Sequence, residues 1–248
     1  MAIQLSEIST RAPKDMDKEA TKVKTASLIE QLDELQNLLY ASAKYAVLVI
    51  IQGMDASGKD GAIKHVFGPL NPLGVSAKAF KAPTEEELSY DFLWRIHKYV
   101  PAKGMMQIFN RSQYEDVLVT RVHHWINNAT AHRRMKEINH FESLLQESGS
   151  TIIVKFYLHI SKKEQAERFE ERLTDSRKHW KFNSNDAKEA ELWDEYRKAY
   201  EDCFARCDNP PWIIVPADQN WYKEYVIAST MVEILSKLNL QYPALKEE

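Results

Sequence analysis

The chain has 248 residues, 44% of them hydrophobic, and a formal net charge of −3 at pH 7. That is enough apolar material for one sizeable α/β core, while the slightly acidic balance gives no global attraction to nucleic acid or anionic membranes. Two cysteines, Cys203 and Cys207, exclude a disulfide framework or a Cys-rich zinc site, and their spacing reads as packing on one helix face.

Residues 1–16 mix polar side chains with Pro13 and read as an extended arm. From Asp17 to Tyr40, leucines at 28, 32, 35, 38 and 39 recur at helical spacing between charges, an amphipathic helix. No apolar run is long enough to cross a bilayer, and residues 1–20 lack the apolar core of a signal peptide, so the cytoplasm is the expected compartment.

The run Val47 to Gln52 predicts a strand buried on both faces. It stops at Gly53-Met54-Asp55-Ala56-Ser57-Gly58-Lys59-Asp60-Gly61, and a helix pattern then runs from Lys59 toward Phe67. Glycines spaced Gly53-x4-Gly58 before Lys59, between a strand and a helix, fit a P-loop, in which backbone amides curl around phosphate oxygens and the lysine brings a point charge. The other reading is a tight strand-to-helix turn with an incidental lysine.

Two acids are unusual in this loop. Asp60 stands where ordinary P-loop NTPases carry a Ser or Thr that binds Mg²⁺. Asp55 lies among groups meant for anions and would repel phosphate unless a cation stood between them. Mg²⁺, which takes one or two carboxylates and completes its shell with water and phosphates, suits that place; the alternative is that Asp55 only caps the following helix.

Turn-rich residues 67–74 lead to a second strand, Val75 to Phe80. Thr84 and Glu87 are spaced as a capping box, opening a helix with Leu88, Phe92, Leu93, Ile96 and Tyr99 on its apolar face. A third strand, Met105 to Asn110, ends in Asn110-Arg111-Ser112-Gln113-Tyr114-Glu115-Asp116. In a parallel sheet, ligands gather at the carboxyl ends of strands, which places this polar cluster beside the loop. The planar fork of Arg111 suits two-pronged phosphate contacts; a salt bridge to Glu115 or Asp116 is the competing use. His123 and His124, without further ligands at metal spacing, read as structural.

A helix from His132 through Leu145, closed by Gly149, precedes a fourth strand, Thr151 to Leu158. Ser161 and Glu164 then cap a strongly charged helix over 161–172. Between Lys155 and Lys181 there are eight Lys or Arg against five Asp or Glu, in a chain that is acidic as a whole. Such a run is either a solvated face, with pairs such as Glu164 with Arg168 and Arg172 with Asp175, or a lid over about 160–190 that closes on phosphates. A long helix from Asp186 to Cys207 carries an aromatic stripe (Trp193, Tyr196, Tyr200) for the core or for a subunit contact. Residues 212–215 form a fifth strand, and a last helix spans about 221–238. Strands alternating with helices predict one P-loop domain over 1–248, built on a five-stranded parallel sheet covered on both faces.

The loop Gly53 to Gly61, the segment Phe109-Asn110-Arg111-Ser112-Gln113-Tyr114-Glu115, and Arg168-Phe169-x2-Arg172 with Asp175-x2-Lys178-x-Trp180-Lys181-Phe182 together resemble the polyphosphate kinase 2 family over roughly residues 30–235. The resemblance implies a thymidylate-kinase-like P-loop fold with a helical lid, and reversible phosphoryl transfer between inorganic polyphosphate and AMP or ADP (or GMP or GDP), dependent on Mg²⁺ with Mn²⁺ as a substitute. It implies that Gly53, Met54, Ala56, Ser57, Gly58, Lys59, Asp60 and Gly61 hold phosphate, that Asp55 holds the metal, and that Asn110, Arg111, Tyr114 and Glu115 face the acceptor. Arg168, Arg172, Lys178 and Lys181 would form the lid. Asn110 and Ser176 depart from many relatives, which carry Asp and Pro there. The Asn-Arg-Ser-x-Tyr-Glu-Asp form, with Glu115 as marker, is similar to the class III subgroup that accepts both mono- and diphosphates.

A polyphosphate chain needs a basic channel, for which Lys64, His65, Lys78 and Lys81 are the candidates near the loop. The aromatic helix and the arm suggest a dimer or tetramer. Two other functions compete: an NTP-dependent kinase of a nucleotide or small metabolite, which leaves Asp60 unexplained, and a nucleotide-binding switch, which would need an Asn-Lys-x-Asp base-reading element absent from the sequence.

Overall fold

The structure, a computed structural model, describes residues 3–245. Residues 1 and 2 of the arm and 246–248 of the tail lie outside that range. Five strands, β1 (Ala46–Gly53), β2 (Val75–Ala79), β3 (Met106–Asn110), β4 (Thr151–His159) and β5 (Trp212–Pro216), form one parallel sheet in the order β2-β3-β1-β4-β5.

Strand β1 is the centre of the sheet, and its alternation divides the core in two. Leu48 and Ile50 point to one face with Phe109, Tyr114, Tyr157 and Tyr200. Val47, Val49 and Ile51 point to the other with Leu32, Leu39, Ile227 and Met231. All five are fully buried, as expected of β-branched and aliphatic residues in a strand covered on both sides. The second face is covered by α1 (Lys18–Ser42) and α10 (Asn220–Ser236), which lie against each other. The first is covered by α6 (Asn128–Glu147) and α9 (Trp193–Arg206).

The chain leaves β1 through α2 (Lys59–Ala62) and a π turn (Ile63–Phe67), whose Ala62, Val66 and Phe67 join the second face. It leaves β3 through a 3₁₀ turn (Gln113–Asp116) and α5 (Val119–Val122), whose Tyr114 and Val122 join the first. Adjacent parallel strands whose exits part to opposite faces open a crevice between them, where such sheets bind ligands.

Several expected elements differ. The single helix expected from Thr84 to Tyr99 is two, α3 (Glu85–Leu88) and α4 (Trp94–His97). The Thr84–Glu87 capping box is present, but the Asp91 carboxylate accepts from the amides of Leu93 (2.9 Å) and Trp94 (3.1 Å) and restarts the helix, and Leu88 faces solvent. Likewise 186–207 breaks at Leu192 into α8 (Asp186–Glu191) and α9. Helix α6 starts earlier than expected, on an Asn127 cap, and beyond it the left-handed residue is Ser150 (φ 51°), not Gly149.

The aromatic stripe is used inside the fold: Trp193 and Tyr200 are buried, and Tyr200 lies 4.5 Å from Tyr157 ring to ring. The arm is docked as well. The Leu5 amide donates to Glu201 (2.9 Å) and Thr10 Oγ1 to Asp218 (2.8 Å). Both features thus pack against this chain's own fold.

Candidate active site

The loop after β1 turns on left-handed backbone at Gly53 (φ 155°), Ala56 (φ 61°) and Gly58 (φ 91°). A Cβ on Gly53 would come within 2.9 Å of the Leu158 carbonyl, so the strand end admits only glycine there. Ser57 Oγ is buried inside the curl without a hydrogen-bond partner. Lys59 folds back, donating to the carbonyls of Gly53 (2.8 Å) and Met54 (3.1 Å). Burial first, and then the nearby Arg111 charge, lower its pKa to about 8, against the attraction of Asp55, Glu115 and Asp60. The Met54 side chain is in the core and only its backbone belongs to the loop.

Arg111 sits at φ 64°, a conformation unusual for a non-glycine residue, with its amide donating to Ile51. That turn sends its guanidinium over the crevice, where it bonds Asp55 (2.6 Å) and Glu115 (3.0 Å) at once. Both readings of Arg111 thus meet in one group: it makes the salt bridge, and it stands over the loop. Burial raises the Asp55 pKa, but Lys59, Arg111 and Arg172 together with the Arg111 hydrogen bond hold it below the ordinary carboxylate value. Asp55 is an anion against cations, not a helix cap; the cap position before α2 is Gly58.

A cavity of about 660 Å³ opens above this loop. Asp55, Ala56, Gly58, Lys59, Asp60 and Gly61 form its floor, and Asn110 and Arg111 stand on one side. Helix α7 (Lys162–Thr174), capped by Ser161, and the 3₁₀ turn Ser176–Lys181 bring Arg168, Arg172, Lys178 and Lys181 over it. Each of these cations has an acid. Arg168 pairs with Glu164 (2.9 Å), Arg172 with Asp186 (2.7 Å), Lys178 with Glu171 (2.5 Å) and Lys181 with Asp60 (2.8 Å). The expected Arg172–Asp175 pair is replaced, since Asp175 binds Arg177 (3.0 Å). Partly exposed pairs of this kind contribute at most about 1 kcal/mol, so a polyanion would exchange them at small cost. Arg168 differs, because it also donates to the carbonyls of Ala56 (2.8 Å) and Ala217 (2.7 Å) and so braces the loop.

Asp60 takes hydrogen bonds from Asn110 (2.8 Å) and Lys181 (2.8 Å). The acid in the usual Ser/Thr place therefore ties the β3 end and the α7 segment to the loop through its side chain, and only its backbone is available to phosphate. Tyr114, expected at the acceptor, is fully buried with its hydroxyl on Glu142 (2.8 Å); the 3₁₀ turn points it inward while Arg111 and Glu115 point out. Of the channel candidates, His65 and Lys81 line the cavity. Lys64 is exposed outside it, and Lys78 lies over the Tyr99 ring at 4.0 Å.

Among the described residues, no group of three or more His, Cys, Asp or Glu comes together as a metal cage. A hard cation here would draw most ligands from phosphate and water, which is how Mg²⁺ binds. Asp55, one-third exposed in the cavity floor, is the carboxylate suited to it.

The model of the family described as polyphosphate kinase 2 matches residues 15–243. The chain belongs to the polyphosphate kinase 2 family. It is 46% identical over 228 residues to the AMP/ADP-polyphosphate phosphotransferase of Meiothermus ruber, covering 91% of this chain and 85% of that one. It is 42% identical over 229 residues to the ADP-polyphosphate phosphotransferase of Rhodopseudomonas palustris, covering 87% and 79%. The crystal structure of polyphosphate kinase 2 from Arthrobacter aurescens TC1 superposes with a TM-score of 0.93 at 41% identity, over 99% of this chain and 89% of that one.

Two features of this family member escaped the sequence reading. Asn220 and Lys223 of α10 enter the cavity wall beside the loop, although nothing local marks that helix as other than amphipathic. A second, largely apolar cavity of about 820 Å³ lies on the β2–β3 side, walled by Pro83, Leu88, Ile96, Val119, Trp125 and Ile126. It is assembled from segments that meet only in the fold. Arg111, Phe80 and Lys81 line both cavities. No helix of the described residues is long and apolar enough to cross a membrane.

Proposed function

We propose that this protein transfers phosphoryl groups between inorganic polyphosphate and nucleoside mono- and diphosphates, acting as one P-loop phosphotransferase domain with the α7–α8 segment as its lid. The observation that carries this reading is the position of Arg111 between two unlike cavities. The cationic one over the P-loop suits a chain of phosphates, and the apolar one, within the size range of small-molecule sites, suits a nucleoside. A nucleotide with its base in the apolar cavity would lay its terminal phosphate at Arg111, facing the donor on the loop.

Phosphoryl transfer asks for positioning and charge stabilisation more than covalent chemistry. The loop amides would hold the transferring phosphate. Lys59, freed from the Gly53 and Met54 carbonyls, would follow it, and Arg111 would bridge donor and acceptor oxygens. Mg²⁺ on Asp55, with Mn²⁺ as a substitute, would supply charge neutralisation at the phosphate oxygens. The lid cations would leave their acids for the phosphates and exclude water. His65 and Lys81 lie where a longer donor would run. Glu115, bonded to Arg111, supports acceptance of both mono- and diphosphates, and the Meiothermus relative carries both acceptors in its name.

The test is an assay of purified protein with Mg²⁺, polyphosphate and ADP or AMP, run beside ATP with candidate acceptors. ATP made from polyphosphate supports the reading. Its absence, with turnover of ATP instead, would give the protein to the NTP-dependent kinases.

A further inference from the structure

Lys223 projects from the first turn of α10, and the residue is 1% exposed. Its ammonium donates to the Gly58 carbonyl (3.2 Å) and to Asn220 Oδ1 (2.7 Å), and meets no carboxylate. Neither acceptor depends on it, for the Gly58 carbonyl also receives the Ala62 amide (3.0 Å), and Asn220 is exposed. A buried ammonium without a counter-charge is expensive. The surroundings increase the expense: burial first and the Arg168 charge second lower its pKa to about 8, against the attraction of Glu224 and Glu164. The fold nevertheless makes room for it. A Cβ on Gly58 would come within 2.5 Å of Lys223 Nζ, so the P-loop glycine and the lysine fit each other.

A cation that is costly to the fold, without an acid of its own and set in the wall of a cationic cavity, is suited to an anion. The cavity also indicates which anion. Lys223 follows β5 and lines only the cationic cavity, whereas the apolar cavity lies across the crevice on the β2–β3 side. We propose that Lys223 is a donor-specific phosphate ligand that grips the inorganic polyphosphate chain on the α10 side of the P-loop and makes no contact with the acceptor nucleotide. This rests on the polyphosphate reading above and adds that the donor and acceptor sides have separate cations.

The test compares wild type, K223M and K223R. In steady-state assays with Mg²⁺, ADP and polyphosphate, K223M should raise KM for polyphosphate by about tenfold or more, the loss expected for one charge-assisted contact, and leave KM for ADP within about twofold. K223R should recover most of the donor affinity. Calorimetric titration with tripolyphosphate alone should show the same loss in K223M. The thermal midpoint of ligand-free K223M should equal or exceed that of wild type, because the substitution removes an uncompensated buried charge and keeps the stem. A ligand-free midpoint several degrees lower, an equal rise in both KM values, or unchanged tripolyphosphate binding would each assign Lys223 to the fold and overturn the proposal. Wild type that makes no ATP from polyphosphate would instead remove the functional reading itself, so the two failures are distinguishable.

Discussion

Lys155 and Lys223 are both buried, but the fold surrounds them in opposite ways. Lys155 Nζ meets Glu142 (2.8 Å), the Tyr114 hydroxyl (3.1 Å) and the Cys207 carbonyl (3.0 Å), and Glu142 also accepts from Gln113 (2.9 Å). Lys155 and Glu142 are satisfied from within the chain, and two of their partners, Gln113 and Tyr114, belong to the turn that holds Arg111 and Glu115 over the crevice. Lys223 has carbonyl-type acceptors and no acid. A buried lysine with its carboxylate is architecture; one without it, facing a cavity, is a binding group.

The most damaging way to probe the difference is K155M. Removing one partner of a buried pair leaves Glu142 uncompensated and should cost about 3–5 kcal/mol, lowering the thermal midpoint by roughly 10 °C, whereas K223M should lower it not at all. The double variant K155M/E142L should recover most of the loss. A K155M protein as stable as wild type would erase the distinction between the two lysines.

Asp116 offers a smaller probe on the acid side. It lies at the apolar cavity, its carboxylate 3.8 Å from Arg134, which donates instead to the Asp116 carbonyl (2.9 Å). Burial raises its pKa to about 6, only partly opposed by Arg134 and Arg95. The folded protein thus holds this proton more tightly than the unfolded chain does, so the contribution to stability is full below the ordinary Asp pKa of about 3.9 and is lost as pH rises to about 6. D116N should therefore raise the thermal midpoint by a few degrees at pH 7.5, with the gain fading toward pH 4. A gain that did not depend on pH would contradict this account of Asp116.

The smallest effect is expected at Asp60. D60N releases the partly exposed Lys181 pair and should change stability by less than about 1 kcal/mol. It should raise mobility of the 176–181 turn, read as faster amide exchange there. Unchanged exchange would show that Asp60 does not tether the lid.

What could be read from the sequence was what is contiguous. The P-loop, the polar cluster after β3 and the charged α7 each lie within a few residues, so each could be picked out locally, and the strand-end rule with the family resemblance put Asp55, Arg111 and Arg168 at one site. The strands were legible because burial on both faces writes itself as an unbroken aliphatic run, as at Val47 to Ile51. The errors arose where a local competitor or a distant partner decides. Asp91 restarts a helix that periodicity carries straight through, and a 3₁₀ turn sends Tyr114 inward although Arg111 and Glu115 in the same segment face the crevice. Asp60 and Lys181 meet across 121 positions, and Lys223 acquires meaning only when α10 returns to the P-loop.

The central claim is that Asp55 is an acid placed among anion-holding amides because a divalent cation joins it to phosphate. The direct measurement is turnover of polyphosphate and ADP by D55N across a Mg²⁺ titration, with circular dichroism confirming the fold. The account expects a native spectrum with turnover lower by about a hundredfold or more and a weakened response to Mg²⁺. Near-normal turnover with an unaltered Mg²⁺ dependence would contradict it.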